Sequence, residues 1–299
     1  LRAGAGFAAA KLDARVAWAQ IPGVPPGQKP IEVDLDARDV VGTGVRLASI
    51  AASVRGTPDE HRAVVRARIA DNDVATSLVG AFDAETVQWR GALEAFQSSG
   101  RADVRLAAPA KLELARDRVA LASARLRFAD GEFRVDDLLV EQGRITSHGA
   151  FIGVPAETVA RLAGASLPFT TDVAFGGAWS IAATPRLGGT ISIRRERGDV
   201  RYDAGPGTSR EEASIGLSRL DLDVRFADDA IDGSATLASA RSGSATLAFA
   251  IAPSPTAAPG TLRGDAPLTA RFDGEWPSLR PLQPWLGTTA TADGRLRVA

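Results

Sequence analysis

Cysteine and methionine are both absent from the 299 residues. Without cysteine, neither a disulfide framework nor a thiolate metal site can form. The only two histidines, His61 and His148, stand far apart in the chain, and neither has a metal-ligand partner at i+2 or i+4. Aromatic residues make up 6%, with a single tyrosine. That is too few for the aromatic girdles of a membrane barrel, or for the aromatic platforms of a carbohydrate-active β enzyme. No stretch approaches the roughly 20 apolar residues of a membrane-crossing helix, and no signal peptide is visible. An excess of one charge is also missing. The 35 basic and 36 acidic residues leave a net charge of -1, so nothing singles out nucleic acid or an anionic surface as a partner.

What is present is an apolar fraction of 45% beside 24% charged residues, the balance of a folded chain. The apolar part is skewed toward Ala, Val and Leu. The chain opens in mid-pattern on Leu1-Arg2-Ala3 and closes on Gly294 to Ala299, which reads as a strand. We therefore expect an internal piece of a longer protein, whose own leader and anchor fall outside it.

Period two is the dominant signal. Leu12, Ala14, Val16 and Trp18 alternate with Lys11, Asp13 and Arg15. Ile31, Val33, Leu35 and Ala37 alternate with Glu32, Asp34, Asp36 and Arg38. Leu220, Leu222, Val224 and Phe226 alternate with Asp221, Asp223 and Arg225. Successive strand side chains point to opposite faces, so each segment is a strand with one apolar and one charged side. The pattern recurs around Val65, Val104, Leu112, Leu126, Ile191, Leu247 and Leu268, with turn signals at Asp130-Gly131, Asp232-Gly233 and Asp293-Gly294. Helical signals are brief. Pro155 to Ala165 places Val159, Leu162 and Ala163 on one side behind a proline suited to the first turn. Trp276 to Leu286 presents Leu279, Leu282 and Trp285, and Thr86 to Phe96 is a third, weaker candidate. Pro253 to Pro267 reads as an exposed loop.

On the order of 20 short strands exceed what a flat open sheet holds without curling, closing or splitting. A pair of sandwiches, a large barrel and a curled trough remain. Sandwiches favour bulkier inner residues, and the barrel lacks its girdles. The expected fold is therefore all-β, an elongated, mostly antiparallel curled sheet with an apolar concave groove and a few short helices. Pattern alone is also compatible with a sandwich. The expected organisation is one continuous unit: sheet over 1–153, a short helix over 154–166, sheet over 167–274, a short helix over 275–287, and the start of further sheet over 288–299.

Four stretches carry a family resemblance. They are Val87-Gln88-Trp89-Arg90-Gly91-Ala92-Leu93 leading to Leu106 to Leu112, Gln142 to Gly149 ahead of the Pro155 helix, Gly188 to Val200, and Leu268 to Val298. In order and spacing they resemble the TamB family of translocation and assembly module subunits, within the AsmA-like β-trough superfamily. The resemblance covers most of the chain from about Val87 onward. It implies the open β-trough ("β-taco") fold and a place in the periplasm of a Gram-negative cell, anchored in the inner membrane by a helix outside this chain. It also implies an outer-membrane barrel partner, TamA, bound through regions outside this chain, and roles in phospholipid transport, outer-membrane biogenesis and protein secretion.

A lipid-conducting groove needs little chemistry. Each methylene kept from water is worth about 0.8 kcal/mol, and the lining must trap no charge. The expected lining is Leu12, Val16, Ile31, Val33, Leu35, Leu126, Phe128, Ile191, Ile193, Leu220, Leu222, Val224 and Phe226, with phospholipid acyl chains as the partner. The bland alternative is an ordinary closed core. The alternative function is a scaffold or chaperone offering strand edges to outer-membrane β-barrels or autotransporters without conducting lipid.

Catalytic readings find no purchase, so the expectation is no enzyme, no cofactor, no metal and no nucleic acid. His148 reads as an outward strand residue. Asp71-Asn72-Asp73 lacks the glycine and closing glutamate of a calcium loop. Gly4-Ala5-Gly6 lacks the rest of a phosphate loop. Arg197-Gly198-Asp199 matches an adhesion tripeptide and reads as a hairpin tip. No Gly-x-Ser-x-Gly elbow occurs.

Overall fold

The computed structural model describes residues 2–3, 7–42, 45–100, 103–128, 130–162, 164–167, 169–201, 214–253, 266–277 and 296–298. The chain is all-β, a curled antiparallel sheet with one short α-helix among the described residues. It divides into two compact units, Leu1–Ala129 with Arg134–Gln142, and Asp130–Phe133 with Gly143–Ala299.

Unit 1 is a meander in which each strand pairs with the one that follows it. Its strands are β1 (Arg2–Ala3), β2 (Phe7–Trp18), β3 (Ile31–Gly42), β4 (Val45–Gly56), β5 (His61–Ile69), β6 (Asn72–Asp83) and β7 (Gln88–Ser99). Beyond β7 lie β8 (Val104–Ala108) and β9 (Ala110–Ala115), two halves of one course broken at Pro109, which has no N–H for the ladder. Both halves pair on their other side with β10 (Arg118–Phe128). The next strand, β11 (Gly131–Glu141), is divided between the units.

In unit 2, β12 (Arg144–Pro155) runs straight into α1 (Ala156–Leu162). Glu157 in the first turn and Arg161 in the last suit the helix dipole. After β13 (Thr170–Thr171) come β14 (Ala174–Ala183), β15 (Leu187–Arg197) and β16 (Val200–Arg201). Then follow β17 (Leu217–Ala227), β18 (Ala230–Ser239), β19 (Gly243–Ile251), β20 (Leu268–Trp276) and β21 (Leu296–Val298). The ladder runs β12, β14, β15, β17, β18, β19, β20, β21, and β13 with β16 forms a separate two-stranded patch.

Several expectations are corrected. Thr86 to Phe96 is not helical but runs into β7. The spacing of Trp89, Leu93 and Phe96 mimics a helix because Glu94 is an extra residue at a bulge between Leu93 and Ala95, which adds one position to a strict alternation. Asp232-Gly233 lies inside β18; the turn is made by Asp228 and Asp229, both at positive φ (52° and 71°), the geometry of a two-residue hairpin loop. Arg197-Gly198-Asp199 is not a hairpin tip. It joins β15 to β16, and the Asp199 carboxylate is consumed internally. The helix within 154–166 turns Val159 and Leu162 to solvent and buries Thr158 instead.

Glu275 and Trp276, expected to open a helix over 275–287, instead close β20; residues 278–287 lie outside the described residues, as do Ala163, Gly4-Ala5-Gly6, residues 254–265 and Asp293-Gly294. His148 is exposed. No helix among the described residues is long and apolar enough to cross a membrane.

Candidate functional site

Directly opposed residues on antiparallel strands share a face, so the register traces each surface across the ladder. In unit 1, Leu12 stands opposite Ala37, Ala37 opposite Ile50, Ile50 opposite Ala67, and Ala67 opposite Val74. A parallel row runs Val16, Val33, Val54, Ala63, Leu78, Leu93 and Ala110. At the far side Leu106 faces Leu126, and Val104 faces Phe128. The seven expected lining residues of unit 1 therefore fall on one apolar face extending from β2 to β10. In unit 2 the rows run Gly149, Trp179, Ile191, Val224, Gly233, Phe249, Ala270, and Phe151, Gly177, Ile193, Leu222, Ala235, Leu247, Phe272. The six expected lining residues of unit 2 share that face.

Neither unit carries, among the described residues, a second sheet over its own apolar face as a sandwich core would. Among the described residues no large side chain is fully buried. Ile31, Val33, Leu35, Leu222 and Val224 are half-buried, and Val16 (68% exposed) and Leu268 (65%) stand largely in water on the outermost long strands. A compact cluster among the described residues is local: Val173, Ile215 and Leu217, with Phe175, Leu220 and Leu237 against them, close one end of the unit 2 face. The faces are nonetheless crowded. Ala37, Ala110 and Ala124 on the apolar side are buried, whereas Ala51, Ala75 and Ala95 on the polar side are exposed. The same methyl group thus meets neighbours on one side and water on the other.

The ring nitrogens of Trp89, His61 and Trp179 on the apolar faces are satisfied by neighbours on the same face. Trp89 donates its indole N–H to His61 Nε2 at 2.8 Å, and His61 Nδ1 lies 3.0 Å from the Thr57 carbonyl. An indole nitrogen only donates, so Nε2 accepts and Nδ1 carries the proton. Trp179 donates to Ser147 Oγ at 3.0 Å. The rings also lie flat over glycines: a Cβ at Gly80 or Gly91 would come within 2.6 or 2.7 Å of the Trp89 ring, and one at Gly177 within 2.6 Å of Phe151. Gly233 under Phe249 and Gly274 under Trp276 repeat the device. Laid down in this way, the large rings floor the face instead of standing up from it. Sequence reasoning missed His61, Trp89, Phe151, Trp179 and Phe249. The signal that finds Trp89, Phe151 and Phe249 is a glycine at a period-two apolar position, but only the register says which ring covers it.

The opposite face is charged and largely self-paired. Arg55 meets Asp34 (2.8 Å) and Glu32 (2.9 Å), Arg68 meets Asp73 (2.7 Å), and Arg194 meets Asp223 (2.7 Å). The hydrogen bonds that Arg194 donates to the Asp223 carboxylate raise its pKa above the ordinary value. Burial pushes the Asp199 carboxyl up, but hydrogen bonds from Ser214, Leu217, Val200 and Gly216 together hold it below the usual carboxylate range. Shallow depressions on this face, such as the one lined by Ser192, Ser234, Ala248 and Ala250, arise where short residues stand among Asp223, Arg225 and Arg271. No group of three His, Asp or Glu side chains among the described residues is placed to hold a metal ion. What the geometry defines is an all-β protein whose distinguishing surface is an apolar sheet face without a second layer among the described residues. No family model, no curated protein and no solved structure matches the chain.

Proposed function

We propose that the apolar faces hold the acyl chains of phospholipid, as segments of a periplasmic lipid-conducting groove of the TamB kind. The observation that carries this reading is the uncovered apolar face. Its interior strands offer half-buried Val, Leu and Ile, the Trp89 and Trp179 N–H groups are satisfied, and no charged group sits along the traced rows. An acyl chain laid there leaves water at about 0.8 kcal/mol per methylene and meets no polar group that would need a partner. Burial of the inner alanines supports an inside to the curl, where side chains converge. The TamB-like order of the four stretches supports the periplasmic setting, the inner-membrane anchor and the TamA partner.

Photo-crosslinking tests the reading, with a benzophenone residue at Leu222 on the apolar face and at Ser234 on the polar face. Phospholipid adducts at Leu222 and not at Ser234 are expected. Protein adducts without lipid at both positions would assign the chain to the assembly scaffold instead. Absence of any lipid adduct at Leu222 and at a second apolar position, Leu247, would overturn lipid carriage.

A further inference from the structure

We propose that the polar face of unit 1 binds a phosphate group between β8 and β10, held by Arg105, Arg125 and Arg127. Two pairs of arginines stand directly opposite one another on that face, Arg55 with Arg62 and Arg105 with Arg127. Like charges so placed repel and destabilise the ladder. The first pair is neutralised, Arg55 by Asp34 and Glu32 and Arg62 by Glu94. The second pair has no such relief: neither arginine, nor Arg125 beside them, makes an ion pair among the described residues. The neighbour of Arg105 on its other side is Gln97, an uncharged amide. All three arginines are exposed.

The backbone there is shaped as well as charged. β8 carries an extra residue between the partners of Arg125 and Leu126, a bulge that interrupts the ladder and re-aims side chains. The residues at the bulge, Ala107 and Ala108, are short and exposed, leaving room for an incoming group among the guanidinium forks. A guanidinium presents paired donors that match the oxygens of a phosphate, so the missing counter-charge is supplied by a phosphate mono- or diester. The site lies on the opposite face of the sheet from the apolar rows and does not depend on lipid carriage there.

Thermal unfolding at constant ionic strength tests the site, comparing chloride with inorganic phosphate for the wild type, Arg105→Gln/Arg127→Gln and Arg55→Gln/Arg62→Gln. Phosphate is expected to raise the midpoint of the wild type and of the Arg55/Arg62 variant by about 2–4 °C, the shift that roughly 1 kcal/mol gives a domain of this size. The Arg105/Arg127 variant is expected to respond at least tenfold more weakly in apparent phosphate affinity. Equal responses from all three proteins, or none from any, would overturn the proposal. Flotation with phosphatidylcholine vesicles, with and without phosphatidylglycerol, then separates the sources. Binding that needs both phosphatidylglycerol and the two arginines assigns the phosphate to a lipid headgroup. Phosphate stabilisation without flotation assigns it to a soluble ester.

Discussion

At Trp89 and His61 a single hydrogen bond decides where the buried indole of unit 1 lies. Both side chains are buried, and the indole N–H has its acceptor on the next strand but one. In His61→Leu that donor is left without a partner, which costs about 1–3 kcal/mol. Removing both partners in Trp89→Phe/His61→Leu is expected to recover part of the loss, and a double-mutant cycle by denaturant unfolding reads the coupling. Gly233 makes a steric counterpart. A methyl group there collides with the Phe249 ring, so Gly233→Ala is expected to cost about 1–3 kcal/mol. Gly143, with nothing near its absent side chain, is the wrong control because its positive φ (77°) strains any replacement. Gly188, whose nearest neighbours are about 4 Å away in ordinary contact, is the right one, and Gly188→Ala is expected to be nearly neutral.

Among elements, the link from β15 through β16 to β17 depends on Asp199. Its carboxylate accepts from the backbone N–H groups of Val200 (2.7 Å), Gly216 (3.0 Å) and Leu217 (2.8 Å) and from the Ser214 hydroxyl. Its own N–H donates to Asp172 at 2.6 Å. Asp172 is held low mainly by that backbone bond, against a smaller opposing effect of burial and with help from Arg201. Both carboxyls therefore have folded pKa values depressed below the unfolded value of about 3.9. Their contribution is present above that value and is lost as pH falls through the folded values. Asp199→Asn is expected to lower stability at neutral pH and to flatten the acid limb below about pH 4, read from unfolding midpoints across a pH series. Hydrogen exchange of the Gly216 and Leu217 amides should rise in the same variant. An unchanged acid limb would show that the carboxylate is not the anchor of this link.

At the scale of the molecule, an apolar face that no described residue covers as a second layer has a measurable signature. The folded chain is expected to bind an apolar dye such as anilinonaphthalene sulfonate, to release it to lysophospholipid, and to lose it on unfolding. A closed sandwich would bind little dye when folded. Leu222→Arg is expected to abolish lipid capture, because an arginine on that face sits among Ile193, Ala235 and the rows beyond them. Ser234→Arg, opposite Asp223 and flanked by Asp232 on the polar face, is expected to leave capture intact. Equal behaviour of the two variants in lipid extraction and thin-layer analysis would sink the groove.

Much of this was legible in the residues alone. A period of two with charges on alternate positions dictates strands, and it dictates which side chains share a face, because the pleat is a local property of the backbone. All thirteen residues expected to line the apolar side accordingly fall on the apolar face of their own unit. What alternation could not decide is what lies across from that face, since a second sheet or open solvent demands the same pattern. Nor could it tell Thr86 to Phe96 from a helix, because one bulged residue at Glu94 restores a helical spacing that only pairing with β6 resolves. The tripeptide at Asp199, the rings laid over Gly80, Gly177 and Gly233, and the unrelieved arginines at Arg105 and Arg127 are all products of register. Register joins residues distant in the chain through cross-strand hydrogen bonds, so it exists only once the sheet has formed.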